Sequence, residues 1–316
     1  MDLKQKYPKR LHIEVTSRCN FKCITCKHGF VDYGNDMPKS VMDVVIEELL
    51  PSASEIEMQG TGESLLASDF KRLFDATKQY PSIKKILITN ASLISDKQID
   101  EFVTSNMELI ISLDGASFDS YRLNRPVGNF DKIVSILKLI GEKRLLIGDA
   151  KFSYIINMVV TRENYKCIDE LIKLAKRVGV DFLHISEVRE CMPDKDTWNR
   201  LKLDQCSERD EFERYLEKCM ELAKEIHLGF SFNPYEKDNH IKKKICVSPW
   251  QHVFIGADGA VKFCCEQNYI IGNLLQTSFE EIWNSKEATE FRNRMVECEY
   301  HTICRNCCLP WGITYE

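Results

Sequence analysis

Between Leu11 and Arg189 the chain alternates short apolar runs with stretches of helical period. Residues 11–16, 55–59, 84–90, 108–114, 152–161 and 181–188 read as strands, all but the second rich in Ile, Leu and Val. Amphipathic segments open near Pro38, Asp69, Asp96, Asn129 and Asn164, each at a proline or polar residue suited to a helix start. The segment after Asn129 sets Ile133, Ile136, Leu137 and Ile140 on one face. Repeated strand–helix units predict parallel pairing with right-handed crossovers. Six units fall short of a closed eight-stranded barrel, so a partial (β/α)6 TIM-like barrel is expected.

The rhythm breaks over residues 190–207, a polar stretch with Cys191, Pro193, Trp198 and Cys206, before a long helix predicted over 209–226. Polar and basic residues over 234–244 suggest a boundary, giving a barrel over 1–237 and a small module over 238–316. In the module, residues 253–255 and 260–263 flank Asp258-Gly259, a hairpin signal, and one helix is predicted over 279–295.

Composition narrows the function. The 43 basic and 48 acidic residues are intermixed and give a net charge of −5, which argues against a nucleic-acid surface. No apolar run approaches the ~20 residues of a membrane span, and residues 1–10 carry no apolar signal core, so a cytoplasmic protein without a membrane partner is expected. The anomaly is 14 cysteines, three at Cys19, Cys23 and Cys26 and seven between Cys246 and Cys308. A reducing compartment leaves such thiols for metal or redox chemistry rather than disulfides.

Cys19, Cys23 and Cys26 directly follow the first strand, at the end where α/β barrels place chemistry. Three thiolates leave one iron of a [4Fe–4S] cluster open, the mark of a catalytic rather than a closed site. Zinc is the alternative, but no histidine stands at finger spacing. Cys-x3-Cys-x2-Cys with Asn20 after the first cysteine resembles the signature of the radical S-adenosylmethionine (SAM) superfamily. The resemblance implies that the open iron chelates SAM and that its reductive cleavage yields a 5′-deoxyadenosyl radical. Thr25 stands where that family usually has an aromatic residue. Gly60-Thr61-Gly62-Glu63 after the second strand resembles the motif that binds the SAM amino group. Glycines admit close backbone approach and a carboxylate pairs with an ammonium. By the same resemblance Ser112 is a candidate for the ribose or carboxylate of SAM, the alternative being a strand-end hydroxyl satisfied by backbone. Arg125, after strand four, is a candidate for the carboxylate, the alternative being a solvated loop arginine. Ser112 and Asp114 share a face by alternation, opposite Leu109, Ile111 and Leu113. Asn90 and Asn157 are further candidates to bind SAM or substrate, although an amide satisfied by neighbouring backbone is the favoured reading of each.

Alternation on the first strand turns His12, Glu14 and Thr16 inward. An inward carboxylate needs a partner or ligand, which makes Glu14 a substrate-contact candidate. His12 lies deeper, where a histidine satisfied within the core is expected. On strand six His184, Ser186 and Glu187 leave the inward face undecided.

The stretch from Cys246 through Trp250, Asp258-Gly259, Cys264, Gly272-Asn273 and Trp283 resembles a SPASM-type extension of radical SAM enzymes. Cys246, Cys264, Cys304 and Cys307 suffice for one closed auxiliary [4Fe–4S] cluster, with Cys265 able to replace Cys264. Ile313 stands where a second cluster would need a cysteine, as in the shorter twitch variant. The layout is similar to aminoglycoside-pathway dehydrogenases and epimerases, which implies oxidation or epimerisation of a sugar or aminocyclitol, with flavodoxin or ferredoxin as electron donor. A maturase of ribosomal peptides is the second enzyme reading, and an iron–sulfur carrier or zinc scaffold the non-enzymatic one. Cys191, past strand six and outside both cysteine sets, is the candidate hydrogen donor of an epimerase.

Overall fold

The computed structural model describes residues 6–26, 34–149, 151–190, 194–204, 206–234, 244–265, 269–297, 299, 304 and 312–314. In chain order its elements begin with β1 (Arg10–Ile13), α1 (Lys39–Val44), β2 (Glu55–Met58), α2 (Phe70–Thr77), β3 (Lys84–Thr89), α3 (Asp96–Val103) and β4 (Met107–Ser112). There follow α4 (Phe118–Asn124), α5 (Phe130–Ile147), β5 (Ser153–Val160), α6 (Ile168–Arg177), β6 (Phe182–Glu187), α7 (Lys195–Leu201), α8 (Cys206–Glu225) and β7 (Gly229–Asn233). The last part holds β8 (Lys244–Cys246), α9 (Ser248–Gln251), β9 (His252–Ile255), β10 (Ala260–Lys262), β11 (Gly272–Asn273), α10 (Phe279–Trp283), α11 (Lys286–Val296) and β12 (Gly312–Thr314). The described residues fall into two compact units, one within 1–18, 34–86 and 236–316, the other within 19–33 and 87–235.

In the first unit β1 lies between β2 and β9 and runs parallel to both. His12 stands opposite Glu57 on one side and Phe254 on the other. β9 returns antiparallel into β10, and β10 pairs antiparallel with β11. The expected hairpin therefore forms. Its turn needs Gly259, which sits at φ 80° and donates its N–H to the Gly256 carbonyl at 2.9 Å. β8 and β12 make a separate antiparallel pair.

In the second unit the end of β3 is followed by β4, β5, β6 and β7 in spatial order, and the pairings from β4 to β7 are all parallel. Along β5 the residues alternate between half-buried and buried, as expected for a sheet with one face under helices. Ile133, Leu137 and Ile140 of α5 are fully buried, and the Tyr154 hydroxyl on β5 donates to the Leu137 carbonyl at 3.4 Å. Helix starts follow local chemistry. Ser95 with Gln98 and Ser117 with Ser120 form capping boxes at α3 and α4.

All six expected strands form, with ends shifted by a residue or more. Two parallel pairings were not anticipated: β7 on β6, and β9 on β1. β7 offers only Phe230 and Phe232 as apolar residues, too short a pattern to signal a strand. β9 meets β1 from the far end of the chain, which no local pattern encodes.

Two expectations are corrected. The polar stretch 190–207 contains α7, because Asp194 caps it by accepting from Asp196 and Thr197 and Trp198 and Leu201 bury beside Val188. The helix expected over 279–295 is two helices. Ser285 interrupts it by accepting from the Ala288 N–H as a new N-cap, while Ser278 caps α10.

Candidate active site

The cysteine loop belongs to the second unit and is anchored at several points. The Ile24 N–H donates to the Asn124 carbonyl at 3.0 Å, and the Ile24 side chain packs with Val159 against the Val188–Trp198–Leu201 cluster. Asn20 accepts from the Asn90 amide at 2.9 Å and donates to the Ser92 hydroxyl at 2.8 Å. Between those partners Ala91 holds a left-handed φ of 63°, an uncommon backbone for a residue with a Cβ. That turn lets Asn90 and Ser92 serve one asparagine. Asn90, a candidate to bind SAM or substrate, thus spends its amide within the loop support.

Cys19, Cys23 and Cys26 are each half-buried. The Phe21 N–H donates to the Cys19 sulfur at 3.4 Å. Burial pushes the Cys23 thiol up to about 12, against the pull of the Arg125 guanidinium. Such a thiol stays protonated and unreactive unless a metal takes the place of its proton. Three thiols on an eight-residue loop, with an N–H aimed at one sulfur, fit three irons of a [4Fe–4S] cluster.

Arg125 is neither solvated nor loosely held. It is 8% exposed, and its Nε donates to Asp114 Oδ2 at 2.7 Å. Asp114 is fully buried, and its other oxygen accepts the Val159 N–H at 2.8 Å. Strand β4 ends at Ser112, and Asp114 lies two residues beyond it, paired with Arg125.

Ser112 begins a polar row across the parallel strands. It is in register with Asn157, Asn157 with His184, and His184 with Ser231. His184 Nδ1 lies 2.6 Å from the Ser231 hydroxyl and its Nε2 lies 3.1 Å from that of Ser186. Among the described residues the buried Asn157 Oδ1 has no hydrogen-bond partner. On β6, His184 and Ser186 therefore share the row's face, and Glu187 turns the other way, where both its oxygens accept from Arg209. Ser231 was not foreseen; its strand carried too little pattern to be recognised.

The Gly60–Glu63 loop belongs to the first unit. A Cβ at Gly60 would overlap the Glu14 side chain, and one at Gly62 would overlap the Thr16 and Arg18 carbonyls. Both positions demand glycine. Glu14 Oε1 accepts from the Thr61 N–H at 2.6 Å and the Thr61 hydroxyl at 2.7 Å, while Oε2 accepts from the Ala257 N–H at 3.1 Å. Its carboxylate is thereby occupied by the protein, so Glu14 braces the loop where a substrate contact was expected. Glu63 is 3% exposed, its N–H donates to the Arg18 carbonyl at 2.8 Å, and its Oε1 accepts from Leu65 at 3.4 Å.

In the same unit Cys246 ends β8, Cys264 is half-buried just past β10, Cys265 beside it is exposed, and Cys304 is half-buried. Cys307 and Cys191 lie outside the described residues. Cys167 and Cys219 are buried and pack as small hydrophobes.

The comparisons with known proteins decide the family. The radical SAM superfamily model matches residues 13–175, just over half of the 316 residues. The chain belongs to the radical SAM superfamily. An iron–sulfur cluster-binding domain of the SPASM type matches residues 246–308. The tungsten-containing aldehyde ferredoxin oxidoreductase cofactor-modifying protein of Pyrococcus furiosus is 24% identical over 95% of this chain and 87% of its own length. The AdoMet-dependent heme synthase of Methanosarcina barkeri is 21% identical over 95% of this chain and 91% of its own. Among solved structures, SuiB of Streptococcus suis bound to SAM has a TM-score of 0.69 at 16% identity, covering 96% of this chain and 72% of that one. Native anSMEcpe with bound AdoMet also reaches 0.69, at 20% identity over 95% and 88%. These structures share the fold.

This radical SAM enzyme accordingly uses a [4Fe–4S] cluster with SAM, and its SPASM domain takes auxiliary iron–sulfur. Cluster and SAM together supply a carbon radical able to remove a substrate hydrogen atom. Among the described residues no helix is long and apolar enough to cross a membrane.

Proposed function

We propose that this radical SAM enzyme matures a peptide by hydrogen abstraction from one of its residues. The observation that carries the reading is its likeness to the mycofactocin maturase of Mycolicibacterium smegmatis, 29% identical over 60% of this chain and 46% of that one. Fold neighbours include SuiB bound to its precursor peptide SuiA and anSMEcpe bound to the Cp18Cys peptide. In this reading Cys19, Cys23 and Cys26 hold the catalytic cluster and Glu63 takes the SAM ammonium. Ser112, Asn157 and the fixed charge of Arg125 orient SAM or substrate, with Asp114 holding Arg125 in place. Cys246, Cys264, Cys304 and Cys307 hold the auxiliary cluster, and Cys191 returns a hydrogen where the product is an epimer. An external flavodoxin or ferredoxin delivers the reducing electron.

Anaerobic turnover tests the reading. Peptides encoded beside the gene should stimulate 5′-deoxyadenosine formation and either lose two hydrogens or gain solvent deuterium at one α-carbon. The second reading, dehydrogenation or epimerisation of a sugar or aminocyclitol, draws on the uncharged Ser112–Asn157–His184–Ser231 row, whose groups suit hydroxyls as well as amides. Stimulation by aminocyclitols with none by peptides would replace the first reading with the second.

A further inference from the structure

We propose that His12, Glu57 and His252 bind one zinc-type divalent cation, a site independent of the cysteines and of SAM. The three residues come from adjacent strands of one sheet in the first unit. His12 on β1 is in register with Glu57 on β2, and His252 on β9 is opposite Arg10, one pleat from His12 on the same face. One donor atom from each lies within 4.8 Å of the other two. Tetrahedral zinc with bonds near ~2.0–2.1 Å sets its donors about 3.4 Å apart, so side-chain rotation closes the gap. The His12 Nδ1 and a Glu57 oxygen already stand at 3.4 Å.

The hydrogen-bond pattern makes these groups ligands rather than a satisfied core cluster. His12 is 3% exposed, yet neither ring nitrogen has a hydrogen-bond partner among the described residues. The satisfied core histidine expected from the sequence is therefore absent. The Gln59 backbone lies near the ring without hydrogen-bond geometry, and the ring is otherwise met by the Phe254 and His252 rings. His252 Nδ1 lies 2.8 Å from the Phe263 carbonyl, which can only accept. Its proton therefore sits on Nδ1 and leaves Nε2 as a lone-pair donor, the arrangement a carbonyl imposes on metal-bound histidines. The Gln59 amide donates to Glu57 Oε1 and orients that carboxylate. Two imidazoles and one carboxylate form a borderline donor set that suits zinc and excludes calcium or magnesium. Bound there, the ion ties the hairpin strand β9 to β1 and β2.

Zinc alone serves as the probe, with the full chain carrying its iron–sulfur clusters so that the cysteines are occupied. The wild type should take up one equivalent of Zn2+, with an X-ray absorption shell of nitrogen and oxygen near ~2.0–2.1 Å and no sulfur near ~2.3 Å. Its melting temperature should rise with added zinc. Glu57→Gln and His252→Gln should each weaken zinc binding by at least about 100-fold at wild-type iron content, since even outer-shell changes cost ~10–100-fold. No uptake by the wild type, a sulfur shell, or unchanged affinity in either iron-loaded variant overturns the site. If a variant loses its iron through misfolding, the wild-type shell and its zinc-dependent melting decide the question.

Discussion

The Gly60–Glu63 loop of the first unit and the Ser112–Ser231 row of the second are built on opposite principles. In the loop, backbone does the work: two glycines pack where no Cβ fits, and Glu14 spends both oxygens on main-chain and Thr61 donors. Its shape is complete before any ligand arrives. In the row, side chains from successive parallel strands meet only through register, and the Asn157 oxygen remains buried without a partner among the described residues. A buried acceptor left unmade is costly, which supports the proposed role of Asn157 toward SAM or substrate. The loop is thus fixed by its backbone, whereas side chains at strand ends can change without disturbing the barrel.

The largest expected effect would set both regions idle together. Cys19→Ala, Cys23→Ala and Cys26→Ala combined should remove about four irons per chain and reduce SAM cleavage to background, read by iron analysis and by 5′-deoxyadenosine yield. Next comes Asp114→Asn, which strands the Arg125 guanidinium in a buried position. Removing one partner of a buried pair costs about 3–5 kcal/mol, so chemical denaturation should show a loss of that order. A loss below ~1 kcal/mol would mean that Arg125 finds a second partner in solution.

The loop and the row can then be separated. Gly62→Ala should push the backbone of residues 16–18 aside at a cost of about 1–3 kcal/mol and weaken SAM binding. Glu63→Gln leaves the packing intact and should lower SAM affinity by about tenfold, as expected for one charge-assisted hydrogen bond of ~1.5 kcal/mol or more. Equal SAM affinities for Glu63→Gln and wild type would leave the loop as a turn.

The smallest effect concerns the row. Burial, and then the Arg189 charge, lower His184 from its ordinary 6.5. The folded chain keeps it neutral while the unfolded chain binds a proton first as pH falls. Its contribution to stability is therefore complete above 6.5 and declines below that value. His184→Asn should flatten the stability profile between pH ~7 and ~5.5, measured by melting temperature, while leaving SAM affinity unchanged. A change in SAM affinity would assign His184 to the cofactor rather than to the substrate.

The alternation of apolar runs with helical periods was enough to predict all six barrel strands, because period and flanking polarity are local properties. The cysteine spacing and the Gly60–Glu63 motif were legible for the same reason, since their chemistry depends on contiguous residues. Alternation could not name the partners of two carboxylates, because Asp114 pairs with Arg125 and Glu14 accepts from Thr61 and Ala257. Both outcomes hinge on partners distant in sequence. The Ser112–Asn157–His184–Ser231 row needed the register of four strands, and the His12–Glu57–His252 cluster needed β9 to settle against β1. Register and long-range pairing follow from the packing of whole elements, so residue pattern determines which side chains are available and tertiary structure determines which of them meet.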